Sequence, residues 1–584
     1  MLLINGNFYA QDTTGYRKNL DLNIGESADI TLYDGTTAHI TLLDVKYRKD
    51  PVRLAVREAK LKVSVDGEEK WLVAGNYNLP VHFARVKIDC PITREYLKNG
   101  NFPDGMWKLS GEVRLRIWPV NKRVCPPGFF AFPLNEKLFT GNTNFGLEPV
   151  EIDHDALKPN PNDPIYYHWG ADMTGVKAVT EVLAAGDGVV IAVGENYDHN
   201  DPFFADPNNP QPRFERVFVR MKNDWVYRYS HLHSFNVTLG QTVKGGDVIG
   251  LLGNRWSDYA HSHFEMWSLN EQDKYILELA YPYLIESYID AHHPKIIAVA
   301  RPHRYIAVGD STELDGSKSF SLEGNIIRYE WTFHDGTTAT GAKVKKKYDR
   351  PGYYSEMLKV YDDHGNVEYD FQQVMVVYAH QPNMRYGYTN VAYYPTFNIE
   401  PGQELIFKGR YFNIMEGEDH WDFGDGSPEV ITHSDPDGYH STGYAELHHT
   451  YTERGHYVVT FSRTTDDGTP STTQLSIFVG EPEKEWVYAK TMPADSNASF
   501  KLLSGNILDN SRGPQEIRYA VSRPGDIEMK LVNIRGQTVY HWDKKNITAG
   551  EYHVFLQTPA KANGIYLMVV RLDNQKFTRK ILIK

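Results

Sequence analysis

Short runs of alternating apolar and polar residues follow one another along the whole chain, separated by turns rich in Gly, Asp, Asn and Pro. A period of two is typical of strands that bury one face, and sustained helical periodicity is nearly absent. Residues 112–118 alternate in this way, and the runs 28–32 and 39–43 flank Asp34-Gly35, a pair typical of hairpin turns. The pattern predicts an all-β protein.

The length and the turn-rich stretches predict several domains. The chain has 584 residues, which at roughly 100–200 residues per domain corresponds to about three to five domains. A stretch rich in Pro, Asn and Asp at 158–164 marks one boundary. The segment 286–294 is expected to form a bridge with a short helix. We expect five domains, at residues 1–150, 151–290, 295–380, 385–481 and 490–584, of which the first is a β-sandwich whose role is not legible.

Composition excludes several classes of protein. Hydrophobic residues make up 41% of the chain and charged residues 23%, which are globular values and exclude collagen-like and wholly disordered chains. The net charge of −13 argues against a protein that coats nucleic acid, so we expect no nucleic-acid partner. No apolar run approaches the roughly 18 residues of a membrane-spanning helix, so no transmembrane segment is expected.

The first residues suggest an incomplete export signal. Residues 1–4 are apolar but too few for the apolar region of a signal peptide, and residues 8–11 resemble the end of a cleavage site. We expect that the true start lies upstream and that the protein is secreted or displayed on the cell surface. The alternative is a cytoplasmic protein with a frayed N-terminus.

The cysteines exclude two kinds of scaffold. Cys90 and Cys125 are the two cysteines of the chain, which rules out a disulfide-built fold and a zinc site of four thiolates. They can pair with each other or remain two reduced, buried thiols.

Three short pieces between residues 165 and 270 carry side chains suited to metal chemistry. If residues 260–267 form a strand, His261 and His263 project from one face of it. A hairpin around 222–224 would present His231 at the end of its second strand. Since Trp169-Gly170 argues against a helix, a loop or extended arm must bring His168 and Asp172 together. The pieces are His168-Trp169-Gly170-Ala171-Asp172, Tyr229-Ser230-His231-Leu232 and His261-Ser262-His263-Phe264-Glu265.

These residue types fit a catalytic zinc site. Such a site takes three nitrogen or oxygen ligands and leaves one position open, which two histidines and one aspartate would satisfy. Two further histidines could move protons and stabilise the developing oxyanion. His231-Leu232-His233 is a second His-x-His, so spacing alone does not decide which histidines bind the metal.

This segment resembles the M23 family of zinc metallopeptidases, the LytM/lysostaphin-like group. The family pattern is HxGxD, YxHL, GxxVxxGDxIG and HxHFE, and residues 240–250 supply the third of these pieces. The resemblance implies a small antiparallel β domain with a groove, and zinc (Zn2+) as the cofactor. It implies that His168, Asp172 and His263 are the zinc ligands and that His231 and His261 are catalytic.

Two other residues of these pieces receive no catalytic role. We interpret Glu265 as structural or as a partner of a zinc ligand, and His233 as an ordinary histidine. The family's usual substrates are the cross-linking peptides of bacterial peptidoglycan, although some members cleave glycine-rich proteins.

The sequence departs from the family pattern at two places. Residues 194–216 form a long insert without a period, expected to be a loop that either sets specificity at the mouth of the site or is a solvated surface insertion. Residues 256–260, directly before His261, lack the small Gly-rich run usual in the family. This second departure leaves the shape of the groove wall open, although not the metal site.

Two segments further along the chain resemble each other and resemble PKD domains, which are immunoglobulin-like sandwiches. Trp331-Thr332-Phe333 and Trp421-Asp422-Phe423 lie 90 residues apart, and each Trp and Phe should point into one core. His334 replaces the usual Gly in the first. The resemblance implies spacing or weak binding of polymers, and the Asp clusters are either acidic turns or calcium sites.

The last segment, from about residue 496 to 584, resembles the C-terminal sorting domain of the type IX (Por) secretion system. The resemblance rests on three short pieces near the end of the chain, GEY at 550–552, GIY at 564–566 and KILIK at 580–584. It implies export across the outer membrane by the type IX secretion machinery. The alternative is an ordinary adhesion-type sandwich.

These features together predict a secreted zinc metalloendopeptidase that acts on peptidoglycan cross-links. The alternatives are a protease of extracellular proteins and a non-catalytic protein that binds the cell wall. The N-terminal domain, or the chain around Asn160 and Asn162, is a candidate cover for the groove.

Overall fold

The computed structural model describes residues 16–480 and 500–583, apart from residues 51, 53, 100–104, 142–145, 147, 149–165, 258, 380–386, 413–415, 435–442, 503–506, 509–514, 522–524, 548–549, 557–563 and 574. The expected signal remnant at residues 1–11, Asn160 and Asn162 lie outside the described residues. The chain divides into two compact units, Met1–Glu485 and Trp486–Lys584. The predicted all-β class is confirmed, since strands make up 53% of the structure and helices 4%.

The N-terminal part forms two four-stranded antiparallel sheets around one core, as predicted for a sandwich. The sheet orders are β1-β8-β7-β6 and β2-β3-β4-β5. Alternation along the strands buries Ile40 and Leu42 of one strand against Leu61 and Val63 of the next. The elements are β1 (Lys18–Leu22), β2 (Ser27–Thr31), β3 (Thr37–Lys49), β4 (Val56–Val65), β5 (Glu68–Val73), β6 (Val81–His82), β7 (Val86–Thr93), α1 (Arg94–Asn99) and β8 (Val113–Pro119).

The next part is built on an eight-stranded antiparallel sheet. Its order is β12-β11-β13-β14-β18-β19, with β9 paired to β18 and β16 to β11, and a second sheet has the order β10-β17-β15. The predicted hairpin is β13–β14, and the predicted strand at 260–267 is β18. The elements are β9 (Ala171–Thr174), β10 (Glu181–Leu183), β11 (Gly188–Val193), β12 (Asn196–Tyr197), β13 (Val217–Met221), β14 (Val226–Ser230), β15 (Ser234–Phe235), β16 (Thr242–Val243), β17 (Val248–Leu251), β18 (His261–Leu269), β19 (Tyr275–Glu278) and α2 (Tyr281–His292).

Helix α2 begins earlier than the bridge predicted from the sequence. Proline lies in its first turn, where a missing N–H costs nothing, and this favours a start at Tyr281 rather than near residue 286. Tyr281, Tyr283, Leu284 and Tyr288 are buried in the core of the central sheet. The segment is therefore part of this core rather than a linker.

The insert at 194–216 is irregular, as predicted, except for the short strand β12. Phe203 and Phe204 are buried, and the Phe203 ring lies 5.7 Å from that of Trp267 in β18. Arg220 of β13 donates from Nε to Asp201 Oδ2 at 2.8 Å. The middle of the insert is therefore packed into the core, which argues against a solvated surface insertion.

A buried ion network joins the N-terminal sandwich to the central sheet. Arg116 donates to both carboxylate oxygens of Asp89, at 2.9 and 2.6 Å, and to Glu278 Oε2 at 3.1 Å. Arg17 also pairs with Glu278. Since all four side chains are buried, the two parts share one interior.

Two further sandwiches follow, which we call the first sandwich (residues 296–377) and the second sandwich (residues 388–479). Strands β27 and β35 join them in one nine-stranded sheet. Trp331 and Phe333 share the core of the first sandwich, and Trp421 and Phe423 share that of the second, as predicted. The strands are β20 (Ile296–Ile297), β21 (Arg304–Ala307), β22 (Ser311–Asp315), β23 (Phe320–Ser321), β24 (Ile326–Thr332), β25 (Thr338–Thr340), β26 (Lys343–Lys347), β27 (Gly352–Asp362), β28 (Val367–Val377), β29 (Tyr388–Tyr394), β30 (Glu404–Phe412), β31 (Asp419–Asp422), β32 (Val430–Thr432), β33 (Ala445–Thr450), β34 (Gly455–Thr464) and β35 (Pro470–Val479).

The C-terminal unit has two sheets around a core of its own. Their orders are β36-β38-β41 and β37-β43-β42-β39-β40. The strands are β36 (Phe500–Leu502), β37 (Ile507–Leu508), β38 (Gln515–Val521), β39 (Gly525–Asn533), β40 (Thr538–Ile547), β41 (Gly550–Leu556), β42 (Gly564–Leu572) and β43 (Gln575–Ile583).

The structure also shows the state of the two cysteines and the character of the helices. Cys90 and Cys125 are both buried and free, which agrees with the alternative of two reduced thiols. Within the described residues, none of the helices has the length and apolar character needed to cross a membrane.

Candidate active site

His263 and Asp172 lie opposite each other on paired antiparallel strands. The register of β18 and β9 makes them direct partners, so their side chains project from the same face. His263 Nδ1 lies 2.8 Å from Asp172 Oδ1. The predicted extended arm is therefore strand β9, and a sheet rather than a loop holds Asp172 in place.

His168 reaches the same point from the chain that leads into β9. Its Nε2 lies 3.0 Å from Asp172 Oδ1 and 3.1 Å from His263 Nδ1. Gly170 between them has φ of 81°, and a Cβ there would come within 2.7 Å of the Phe264 carbonyl oxygen. Only glycine allows this close crossing of β18, which explains its place in the motif.

Glu265 fixes the orientation of His263. His263 Nε2 lies 2.9 Å from Glu265 Oε1, which also accepts from Trp169 Nε1 at 2.8 Å. Burial disfavours the charged form of Glu265, but Arg228 at 3.0 Å outweighs it and lowers the pKa of Glu265 to about 2. Glu265 is therefore a carboxylate that accepts the Nε2 proton, which makes Nδ1 of His263 the ring nitrogen that would face a metal beside Asp172.

The donor set of His168, Asp172 and His263 fits a zinc ion. Two nitrogens and one carboxylate oxygen, all buried, lie within 3.1 Å of one another, and zinc binds such atoms at about 2.0–2.2 Å. Burial lowers the pKa of His168, which favours the neutral form that coordinates metals. Burial tends to raise the pKa of Asp172, but its electrostatic interactions and hydrogen bonds with His168 and His261 hold it well below its usual range.

His231 lies one residue beyond β14 and has a left-handed backbone with φ of 66°. Strict alternation would turn it to the face of Tyr229, but this conformation turns its ring to 4.6 Å from that of His261. Burial and the neighbouring His261 and His263 hold the pKa of His231 well below its usual range. Its amide N–H donates to Glu215 Oε2 at 3.0 Å, so the buried Glu215 anchors this strained residue.

The two candidate catalytic histidines have the same tautomer. Nδ1 of His231 donates to the Arg255 carbonyl at 2.7 Å, and Nδ1 of His261 donates to the Tyr259 carbonyl at 3.0 Å. In each neutral ring the lone pair is therefore on Nε2. Nε2 of His261 lies 3.3 Å from Asp172 Oδ2, at the edge of the zinc donor set.

His231, His261 and His263 form a second group that could hold a metal. This group has no carboxylate to balance the charge of the ion. His263 belongs to both groups, and its Nδ1 contacts Asp172 and His168. The geometry therefore favours the first group as the metal site. His233 belongs to neither group.

Two residues of the site were missed in the sequence. Glu215 lies at the end of the insert, and Tyr259 lies in the segment before His261. The Tyr259 hydroxyl donates to Asp172 Oδ2 at 2.9 Å, and its ring stacks on His261 with centroids 4.4 Å apart. Glu215 and Tyr259 lie in the two segments that depart from the family pattern, residues 194–216 and 256–260. Those departures are the feature of the sequence that could have indicated them.

Trp256 and Phe214 form an exposed aromatic pair, which we call the aromatic shelf. They are chain neighbours of Arg255 and Glu215, which hydrogen-bond His231. Their side chains are 63% and 41% exposed, with ring centroids 6.2 Å apart. The guanidinium of Arg213 lies 4.5 Å from the centroid of the Trp256 ring. Trp256 has φ of 58°, an unfavourable conformation for a bulky residue that is found at functional sites.

Comparison with known families assigns three parts of the chain. Residues 166–275 match Peptidase family M23, residues 292–377 match the PKD domain, and residues 514–584 match the secretion system C-terminal sorting domain. These matches confirm the resemblances to family M23, to the PKD domain and to the sorting domain, and the PKD match covers the first of the two PKD-like segments. A peptidase domain and a sorting domain in one chain indicate a secreted peptidase.

Individual relatives are distant. Collagenase ColA of Clostridium perfringens is 26% identical over 163 residues, which are 27% of this chain and 13% of the collagenase. The lysostaphin catalytic domain of Staphylococcus simulans is 19% identical with a TM-score of 0.17, covering 25% of this chain and 92% of that one. LytM of Ruminococcus gnavus is 19% identical with a TM-score of 0.16, covering 26% and 58%. At such scores the structural matches support no inference about this chain.

Proposed function

We propose that this protein is a secreted zinc metalloendopeptidase that hydrolyses peptide bonds in peptidoglycan cross-links. The observation that carries the proposal is the convergence of His168 Nε2, Asp172 Oδ1 and His263 Nδ1 beside two histidines whose Nδ1 protons are held by backbone carbonyls. The substrate class follows from the similarity of the catalytic segment to family M23, whose usual substrates are peptidoglycan peptides.

His168, Asp172 and His263 would hold the zinc ion. A bound zinc supplies Lewis acidity to a water molecule and to the scissile carbonyl. The carboxylate of Asp172 offsets part of the charge of the ion. Glu265 keeps the His263 ring in the orientation that points Nδ1 at this position.

His231 and His261 would carry out the proton transfers. Because backbone carbonyls hold both Nδ1 protons, Nε2 is the atom of each ring that would accept a proton from the attacking water. The protonated imidazole then donates to the leaving amine or to the oxyanion of the tetrahedral intermediate. The strained backbone of His231 keeps the two rings within reach of one reacting group.

The C-terminal unit would direct export. The match of residues 514–584 to a sorting domain supports recognition by the type IX secretion machinery and a secreted or cell-surface location.

The test uses the full-length chain. We expect one zinc per chain by elemental analysis, and release of soluble peptides from purified peptidoglycan that stops when a chelator is added. His263→Ala should lose both zinc and activity. His233→Ala is the matched control, because His233 is a histidine two residues from His231 that belongs to neither metal group.

The same samples separate the alternatives. Cleavage of an extracellular protein such as denatured collagen, without release from peptidoglycan, would change the substrate class and keep the enzyme class. One zinc with no cleavage of either substrate, or no zinc at all, would favour a binding protein.

A further inference from the structure

The second sandwich contacts the catalytic sheet directly beside His261. The hydroxyl of Tyr444, the residue before β33, accepts a hydrogen bond from the Ala260 amide at 2.6 Å. The same hydroxyl donates to Asn390 Oδ1 of β29 at 2.8 Å, so both its donor and acceptor roles are used. Nearby, Lys408 Nζ donates to the Lys177 carbonyl at 3.1 Å. The contact therefore has more than one point of attachment.

Ala260 lies between the two residues that touch the candidate site from this side. Tyr259 donates to Asp172 Oδ2 through its hydroxyl, and its carbonyl accepts from His261 Nδ1. Ala260 itself is buried, so its N–H would lack water if the Tyr444 oxygen were absent. Tyr444 therefore holds the backbone of the segment that carries both contacts.

The carboxylate of Asp172 is divided between two sets of partners. Oδ1 lies 2.8 Å from His263 Nδ1 and 3.0 Å from His168 Nε2. Oδ2 accepts from the Tyr259 hydroxyl. The hydrogen bond from Tyr259 to Oδ2 therefore leaves Oδ1 directed at the metal position. Hydrogen-bond partners of a metal ligand orient that ligand in this way.

We propose that Tyr259 and Tyr444 are positioning residues of the metal site, and that the second sandwich is a structural part of the catalytic unit rather than a spacer. Tyr259 orients Asp172 and sets the tautomer of His261, while Tyr444 fixes the segment that carries Tyr259. This inference rests on the proposed function only in taking Asp172 as a zinc ligand.

The test compares three variants of the full-length chain, Tyr259→Phe, Tyr444→Phe and Tyr451→Phe. Each loses one hydroxyl and keeps its ring. Tyr451 is the matched control, because it is a buried tyrosine of the second sandwich whose hydroxyl donates to the Phe423 carbonyl at 2.9 Å, within that sandwich. Zinc affinity is measured by competition with a chelator, and ligand geometry by the visible absorption spectrum of the cobalt(II)-substituted protein.

We expect Tyr259→Phe to weaken zinc binding by about 10-fold or more and to change the cobalt spectrum. Tyr444→Phe should change both in the same direction, by about three- to tenfold in affinity. Where the parent cleaves a substrate, kcat should fall in both variants with KM within about twofold. A fourth protein that combines Tyr259→Phe and Tyr444→Phe should show less than the product of the two effects, because both act on one segment.

The outcomes separate this inference from the function on which it rests. A parent protein that binds neither zinc nor cobalt would overturn the proposed function. A parent that binds both metals, with Tyr259→Phe and Tyr444→Phe indistinguishable from Tyr451→Phe in affinity and spectrum, would overturn the positioning role.

Discussion

His263 Nδ1 and Asp172 Oδ1 lie 2.8 Å apart because the two residues are direct partners on adjacent antiparallel strands. The register of a sheet is rigid, so this distance does not depend on the conformation of a loop. The other Asp172 oxygen lies 3.3 Å from His261 Nε2. The proposed function thus gives the ligand role to His263 and the catalytic role to His261, two histidines on one strand separated by a single residue.

This separation predicts different effects for two substitutions. His263→Ala removes a ligand and should abolish zinc binding and activity together. His261→Ala leaves all three ligands and should keep zinc while kcat falls about 10²- to 10⁴-fold. Zinc content and steady-state kinetics on the same samples check both. A fully active His261→Ala protein would show that the roles are wrongly assigned.

The sequence predicted the site where periodicity or a motif determines position. His261 and His263 share a face because side chains alternate along a strand. The resemblance to family M23 predicts which of the two, His263, is the zinc ligand. The direction of the His231 side chain could not be predicted from strand alternation. Its left-handed backbone depends on a hydrogen bond to Glu215, which lies in an insert without periodicity. Tyr444 contacts a residue 184 positions earlier in the chain, and no local pattern carries that information.

The fold shows the same division. The alternating strands and the Trp and Phe pairs of the two sandwiches were predicted, because each depends on burial of one face. The start of helix α2 was predicted too late in the chain. Its apolar residues pack into the core of the central sheet, and the local sequence does not show that contact. The joint interior of the N-terminal sandwich and the central sheet depends on charged residues, which the sequence suggests are exposed.

The aromatic shelf predicts an effect on substrate binding. Trp256→Ala should raise KM about three- to tenfold with kcat within about twofold, because an exposed ring on the residue after Arg255, the partner of His231, would contact substrate without touching the reacting atoms. Trp71→Ala is the matched control, an exposed tryptophan in β5 of the N-terminal sandwich. The measurement is a KM and kcat comparison with the substrate that the parent cleaves. A loss confined to kcat, or no change in KM, would contradict a binding role.

The ion network predicts that the N-terminal sandwich is required for stability. Arg116→Met leaves Asp89 and part of Glu278 buried without their partner, which should lower the free energy of unfolding by about 3–5 kcal/mol. Arg123→Met is the control, since Arg123 pairs with Asp290 across the same boundary at the surface and should cost at most about 1 kcal/mol. Calorimetric unfolding of both proteins measures the difference. Equal losses would mean that burial adds nothing to the network.

The buried carboxyl of Glu136 should make the free energy of unfolding fall as pH rises through the neutral range. It is 1% exposed and accepts a hydrogen bond from the Thr180 hydroxyl. Burial raises its pKa to about 8, from an ordinary value of 4.5. Between these values the unfolded chain releases a proton that the folded protein keeps, which lowers the free energy of unfolding by up to about 1.4 kcal/mol per pH unit.

Replacing this carboxyl by a neutral amide tests the effect. Glu136→Gln should unfold at a higher temperature than the parent at pH 8, with a gap that narrows steadily toward pH 5, where the parent carboxyl is protonated in the folded state and increasingly so in the unfolded one. Glu271→Gln, at an exposed turn, controls for the loss of one negative charge and should follow the parent at every pH. Calorimetry from pH 5 to 8 gives the three curves. If the Glu136→Gln curve runs parallel to that of the parent, the buried carboxyl titrates normally, and this source of pH dependence is absent.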